Sequence, residues 1–233
     1  LRENIYLRLV MAASFSAPLI ERIGGLPFIV HLWGGTGTGK TVALCVAASV
    51  WGKGAYNNNA LIQSFRGTEY ALSEKAAFLY SLPVIIDEGQ TVKNKDDFDT
   101  LIMNLTEGKG KIQGSASGGI KKLRHWANCF ITTAEENIIK YNSGGGTSNR
   151  IINIAAQSKI INDGHITMQI IRDNYGFAGK EYIEYIKKLP LEQLKNRYDD
   201  LFAKLKDNTD STDKQLMAMT FLLLSEKKKE KCI

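Results

Sequence analysis

The chain has 233 residues, 44% hydrophobic and 23% charged, the composition of a globular domain with enough apolar material for its own core. Its apolar runs are short, Leu216 to Leu224 having nine residues including a threonine, so a helical bilayer span of roughly 20 apolar residues is excluded. Cys45, Cys129 and Cys232 are odd in number and lack paired spacing, which excludes a disulfide framework or a zinc ribbon and points to a reducing, cytoplasmic setting.

Apolar residues recur at helical spacing from Asn4 to about Ile20 and stop at Gly24-Gly25, which predicts a lead-in helix within residues 1–26. The chain opens at Leu1 without a Met or a leader pattern, as a fragment of a longer protein does. Phe28 to Trp33 is almost wholly apolar, the pattern of a strand buried on both faces of a parallel sheet. A glycine-rich turn follows, then a helix over 40–51 that ends at Gly52. Leu61 to Phe65 reads as a strand, Thr68 to Leu79 as a helix with Thr68 as N-cap, Leu82 to Asp87 as a second buried strand, and Asp96 to Leu105 as a helix.

From Glu107 to Lys122 a Gly/Ser-rich stretch breaks all periodicity, and Ala127 to Thr133 resumes as a strand. Asn142 to Asn149, with three consecutive glycines, reads as a loop before a short strand over Arg150 to Ile154. Only helices are expected from about Ile166. Leu194, Tyr198, Leu201, Phe202 and Leu205 form one apolar helical face, residues 207–212 a polar linker, and Thr212 a cap for a last helix with Leu216, Met217, Phe221 and Leu224 on its core side. The alternation predicts an α/β core over residues 27–158, a parallel sheet with helices on both faces, and an all-helical part over 159–233.

The turn, GGTGTGKT from Gly34 to Thr41, fits G-x-x-x-x-G-K-[ST] between a buried strand and a helix, the context the motif requires. Its glycines let the backbone of Gly35, Thr36, Gly37, Thr38 and Gly39 curl so that amides converge on one centre, at the positive end of the following helix. ATP fits that cradle, with Lys40 reaching the β and γ phosphates and the Thr41 hydroxyl taking one position of an octahedral Mg²⁺. One helix-strand unit downstream, PVIIDE ends in two carboxylates: Asp87 to hold the Mg²⁺ through water and Glu88 to orient and deprotonate the attacking water. Ligands on open α/β sheets sit at strand carboxyl ends, so Thr133 is a candidate to position that water and sense the γ-phosphate, although threonine is also an ordinary strand residue. Arg150, between a glycine loop and a strand, suits an arginine finger, although a lone Arg is more often a surface ion pair.

The net charge of +6 is unevenly spread: between Gly108 and His125 stand Lys109, Lys111, Lys121, Lys122 and Arg124 without a carboxylate. That stretch is either a solvated basic loop or a surface for a polyanion. His31, His125 and His165 show no metal spacing, and Trp33, Trp51 and Trp126 read as core.

Taken in order, the segments 31–52, 83–90, 107–126, 130–136 and 148–156 resemble the AAA+ ATPase core of ring-forming replicative helicases near the minichromosome maintenance and superfamily 3 groups. In particular the chain resembles helicase-like proteins of bacteriophages and mobile genomic islands, including staphylococcal pathogenicity islands and cassette chromosomes. The resemblance implies a P-loop NTPase (AAA+) core of five parallel strands, a homohexameric ring around DNA, and a β-hairpin before the FITT strand that grips DNA in the channel. Lys109, Lys111, Lys121, Lys122 and Arg124 map to that hairpin, and Arg150 to the position of a trans-acting arginine. The implied activity is an ATP-driven helicase or translocase replicating a phage or mobile element, the alternative an AAA+ protein remodeller or helicase loader. Two departures stand out: no Asn follows the threonines of FITT, leaving Thr133 or Glu135 for that job, and no second-sensor arginine is evident, with Lys214 the nearest candidate.

Overall fold

The computed structural model describes residues 3–54, 61–64, 69–87, 95–110, 123–139 and 145–229. In chain order the elements are α1 (Ile5–Ile23), β1 (Phe28–Trp33), α2 (Lys40–Ser49), β2 (Ile62–Ser64), α3 (Glu69–Leu79), β3 (Val84–Asp87) and α4 (Lys95–Thr106). They continue with β4 (Cys129–Ala134), α5 (Gly145–Ser148), β5 (Ile151–Ala155), α6 (Gly164–Asp173), α7 (Phe177–Lys188), α8 (Leu191–Asn208) and α9 (Asp213–Lys229). The strands form one five-stranded sheet in the order β2-β3-β4-β1-β5, with every pairing parallel.

Period-two alternation divides the apolar strand residues between two cores. Phe28, Val30, Leu32, Ile85, Cys129 and Ile131 join one cluster with α1, α2 and the C-terminal helices. Ile29, Val84, Ile86, Phe130 and Ile151 join the other, with Leu72 and Ala76 of α3 and Leu101, Ile102 and Leu105 of α4. The largely apolar runs of β1, β3 and β4 are therefore needed on both faces.

The first helix is capped by Asn4, whose Oδ1 accepts from Leu7 N at 3.1 Å, and ends at Gly24, where φ is 93°. Its buried middle is built from small residues, including Ala12, Ala13, Ser14, Ser16 and Ala17, which bring neighbouring helices close. Ser14 Oγ donates to Ala47 O of α2 at 2.8 Å, and Ser225 Oγ of α9 donates to Ala12 O at 2.8 Å. The predicted face of α8 packs inward through Leu194 and Tyr198, the latter ring 4.9 Å from Phe221 of α9. Among the described residues no helix is long and apolar enough to cross a membrane.

Element boundaries shift from the sequence reading for physical reasons. Residues 145–148, expected as loop, form the short helix α5, and α8 continues to Asn208 into the expected polar linker. The fourth strand starts at Cys129 rather than Ala127. Ala127 N and Asn128 Nδ2 turn aside to Tyr80 O at 2.8 and 2.9 Å, and Asn128 Nδ2 also reaches Leu82 O at 2.8 Å. Thr68 and Phe65 lie outside the described residues.

His31 is fully buried on β1, with Nδ1 2.8 Å from Thr132 Oγ1. Burial pushes its pKa down from 6.5 to about 4, opposed in part by the Glu136 backbone. Because the folded value lies below the unfolded one, the neutral ring contributes stability above about pH 6.5 that is lost as pH falls towards about 4, up to about 3 kcal/mol. Urea unfolding of wild type and His31→Asn across this range is expected to show the wild-type advantage shrinking with acidification; a pH-independent difference contradicts it.

Candidate functional site

Parallel register brings the carboxyl ends of β1, β3 and β4 to one edge of the sheet, and there a cavity of about 430 Å³ opens. Its wall includes Thr36, Gly37, Gly39, Lys40 and Thr41 of the glycine loop, with Asp87, Thr133 and Glu135 from across the sheet. Pairing of Ile86 with Thr132 sets Asp87 beside Thr133. The buried carboxylate of Asp87 accepts at both oxygens: Thr133 Oγ1 donates to Oδ1, and Thr41 Oγ1 donates to Oδ2 at 2.9 Å.

The glycine loop is shaped by backbone that other residues tolerate poorly. Gly37 and Gly39 take φ of 78° and 93° on either side of Thr38, the alternation from which a concavity of amides is built. The helix that starts at Lys40 has no side-chain cap and no acid in its first turn, whereas α1 and α6 are capped by Asn4 and Asp163. A helix start without a side-chain cap on the wall of a cavity fits an anionic ligand.

The Lys40 ammonium donates to Gly34 O and Gly35 O at 2.7 and 2.8 Å. Burial lowers its pKa, while the nearby carboxylates of Glu135 and then Asp87 oppose the shift, so a cation stays beside the loop. The Thr41 hydroxyl and the Asp87 carboxylate form a hard oxygen pair of the kind that suits Mg²⁺ directly or through water. These residues fit a nucleotide triphosphate and its metal.

A family described as "Domain of unknown function (DUF927)" matches residues 1–125, more than half of the chain. The chain belongs to this family. A solved chain described as "SCCmec type IV Cch - active helicase" is similar with a TM-score of 0.75 and 21% identity. The match covers 99% of the present chain and 44% of that one. At that identity the likeness is one of fold, an α/β P-loop-like sheet with a helical C-terminal region. No curated protein matches the DUF927 chain by sequence.

The remaining candidates fall in different places. Arg150 precedes β5, at the amino end of the strands, with its Nη1 donating to Gly146 O at 2.5 Å and its own carbonyl accepting from Ile29 N at 3.0 Å. Since Ile151 pairs with Ile29 and Ala155 with Trp33, it stands a strand length from the cavity of its own chain, about 15 Å away along the sheet. The two sides of the basic segment pair antiparallel: Lys109 bridges His125, Gly110 N donates to Arg124 O and Trp126 N donates to Gly108 O, both at 2.9 Å. Lys109 is exposed, but Arg124 is engaged within the chain, paired with Glu74 and 5.3 Å over the Tyr70 ring. Glu88, Lys111, Lys121 and Lys122 lie outside the described residues. Lys214 sits in the first turn of α9 and does not line the cavity.

Sequence reasoning missed the outer wall, formed by Val42 and by Lys159, Ile161, Asn162 and Gly164 after β5. Ile160 N donates to Thr38 O at 2.8 Å, folding that segment back onto the glycine loop. The one available signal was the Asp163 cap before α6, which marks the segment's end but not its path.

The two leading glycines differ in their surroundings. A Cβ on Gly34, where φ is 153°, would stand 2.8 Å from Ala156 O, whereas one on Gly35 would meet nothing within 4 Å. Gly34→Ala is expected to cost about 1–3 kcal/mol in urea unfolding. Gly35→Ala should be neutral or stabilising by up to about 1 kcal/mol.

Proposed function

We propose that the DUF927 chain is the ATP-hydrolysing motor domain of a ring-forming DNA helicase or translocase, serving replication of a phage or mobile element. What carries the reading is the shared carboxylate: Asp87 holding Thr41 of the glycine loop and Thr133 of the neighbouring strand, beside Lys40. Thr41 and Asp87 would hold Mg²⁺, which would supply positive charge against the phosphates. Lys40 supplies a second positive charge at the same oxygens. Glu88, next in sequence to Asp87, takes the proton of the attacking water, and Thr133 orients that water.

Arg150 completes the site of a neighbouring subunit rather than its own. Its position at the end of the sheet away from its own cavity supports delivery in trans. A homohexamer with ATP between subunits follows, and the paired flanks of the basic segment support a hairpin reaching DNA through Lys109, Lys111, Lys121 and Lys122. Arg124 is better assigned to anchoring the hairpin base on α3 than to touching phosphate. Lys214 is not proposed as a second sensor.

The hydrolysis rate per subunit is expected to rise with protein concentration, because each site needs two chains. Lys40→Ala and Arg150→Ala should each lose about 10³-fold or more in rate. Mixing the two variants should restore part of the activity by pairing an intact Lys40 face with an intact Arg150. A rate that stays flat on dilution, with no rescue on mixing, rules out composite sites. Single-stranded or forked DNA should stimulate hydrolysis; a protein remodeller or loader would not respond. The double change Lys121→Ala with Lys122→Ala should weaken DNA binding and reduce its salt slope by about 2, since each phosphate contact contributes about one.

A further inference from the structure

Glu135 lies just past β4 on the cavity wall, and the hydrolytic scheme above leaves it without a role. Its Oε1 accepts from Thr36 Oγ1 at 2.8 Å, joining the end of β4 to the middle of the glycine loop. Burial lowers the Lys40 pKa, and of the two carboxylates that oppose this shift Glu135 comes ahead of Asp87. One anion of this chain thus stands on the cavity wall with both the Thr36 hydroxyl and the Lys40 ammonium.

The two carboxylates are not equivalent. Asp87 is buried and receives a hydroxyl at each oxygen, so it is fixed. Glu135 is exposed, where a polar contact is worth less than about tenfold in equilibrium and swinging away into water is easy. The backbone on either side is anchored: Ala134 is buried, and Asn137 Oδ1 accepts from Ile139 N at 2.8 Å and Asn153 Nδ2 at 2.9 Å. Any displacement is confined to the side chain and the peptide beside it.

We propose that Glu135 is a specificity-determining residue of the cavity, a tethered carboxylate that keeps hold of Thr36 when a diphosphate binds and is expelled when a γ-phosphate brings like charge against it. The site then distinguishes ATP from ADP partly by the release of Thr36. The inference rests on the nucleotide reading above.

Calorimetric titration of wild type, Glu135→Gln and Glu135→Ala with Mg-ATPγS and Mg-ADP tests it without recourse to turnover. The glutamine variant removes the charge but keeps an acceptor for Thr36; the alanine variant removes both. Both variants are expected to bind ATPγS about three- to tenfold more tightly, the size of one exposed like-charge contact, with ADP affinity changing by less than about twofold. Equal changes for the two nucleotides, unchanged ATPγS affinity, or weaker ATPγS binding overturns the proposal while leaving the nucleotide site intact. Folded wild type that binds neither nucleotide overturns the proposal and the nucleotide reading together.

Discussion

A carboxylate taken out of water costs several kcal/mol unless donors replace the lost hydration, and Asp87 meets that demand with hydroxyls from two other elements. Thr41 comes from the first turn of α2 and Thr133 from β4, so one buried charge fixes the helix, β3 and β4 relative to one another. The arrangement depends on register. Ile86 must stand opposite Thr132 for the next residues to meet, and a slip of one residue would turn Asp87 into the opposite core.

Around that charge the molecule is organised as two ends of one sheet. At the carboxyl ends lie the glycine loop, its uncapped helix and the cavity. At the amino ends lie Arg150 and the base of the basic segment. The first helix also bears on the carboxyl end. Asn4, which caps it, donates to Lys159 O at 3.1 Å, while Tyr6 Oη accepts from Gln157 N at 3.2 Å. The segment after β5 is held between the start of the chain's first helix and Thr38 of the glycine loop. The start of α1 is thus linked to the cavity wall through the side chains of Asn4 and Tyr6, and α1 is itself packed tightly against α9, where Ser225 bonds Ala12 O.

Partly buried charge also finds partners at the base of the basic segment. Arg124 spends its guanidinium on Glu74 and the face of Tyr70, which ties the C-terminal flank of the segment to α3. Trp126 adds to the anchor by donating to Leu105 O at 2.8 Å. The flank formed by Arg124 and Trp126 is thus held by both α3 and α4.

Local chemistry made much of this molecule legible in one dimension. The almost wholly apolar runs over Phe28 to Trp33 and Val84 to Ile86 announced strands buried on both faces, because period-two side chains must satisfy two cores at once. The glycine spacing announced a tight turn into a helix start without a side-chain cap, because positive φ and capping are local backbone properties. What the tertiary structure alone decided depends on contacts between residues distant in sequence. The order of strands, the meeting of Asp87 with Thr133, the return of residues 159–164 over the glycine loop, the pairing of Arg124 with Glu74 and the tether from Glu135 to Thr36 are of this kind. Periodicity reports which face of an element is buried but not which element covers it, and a polar side chain's partner is chosen only when the whole sheet has closed.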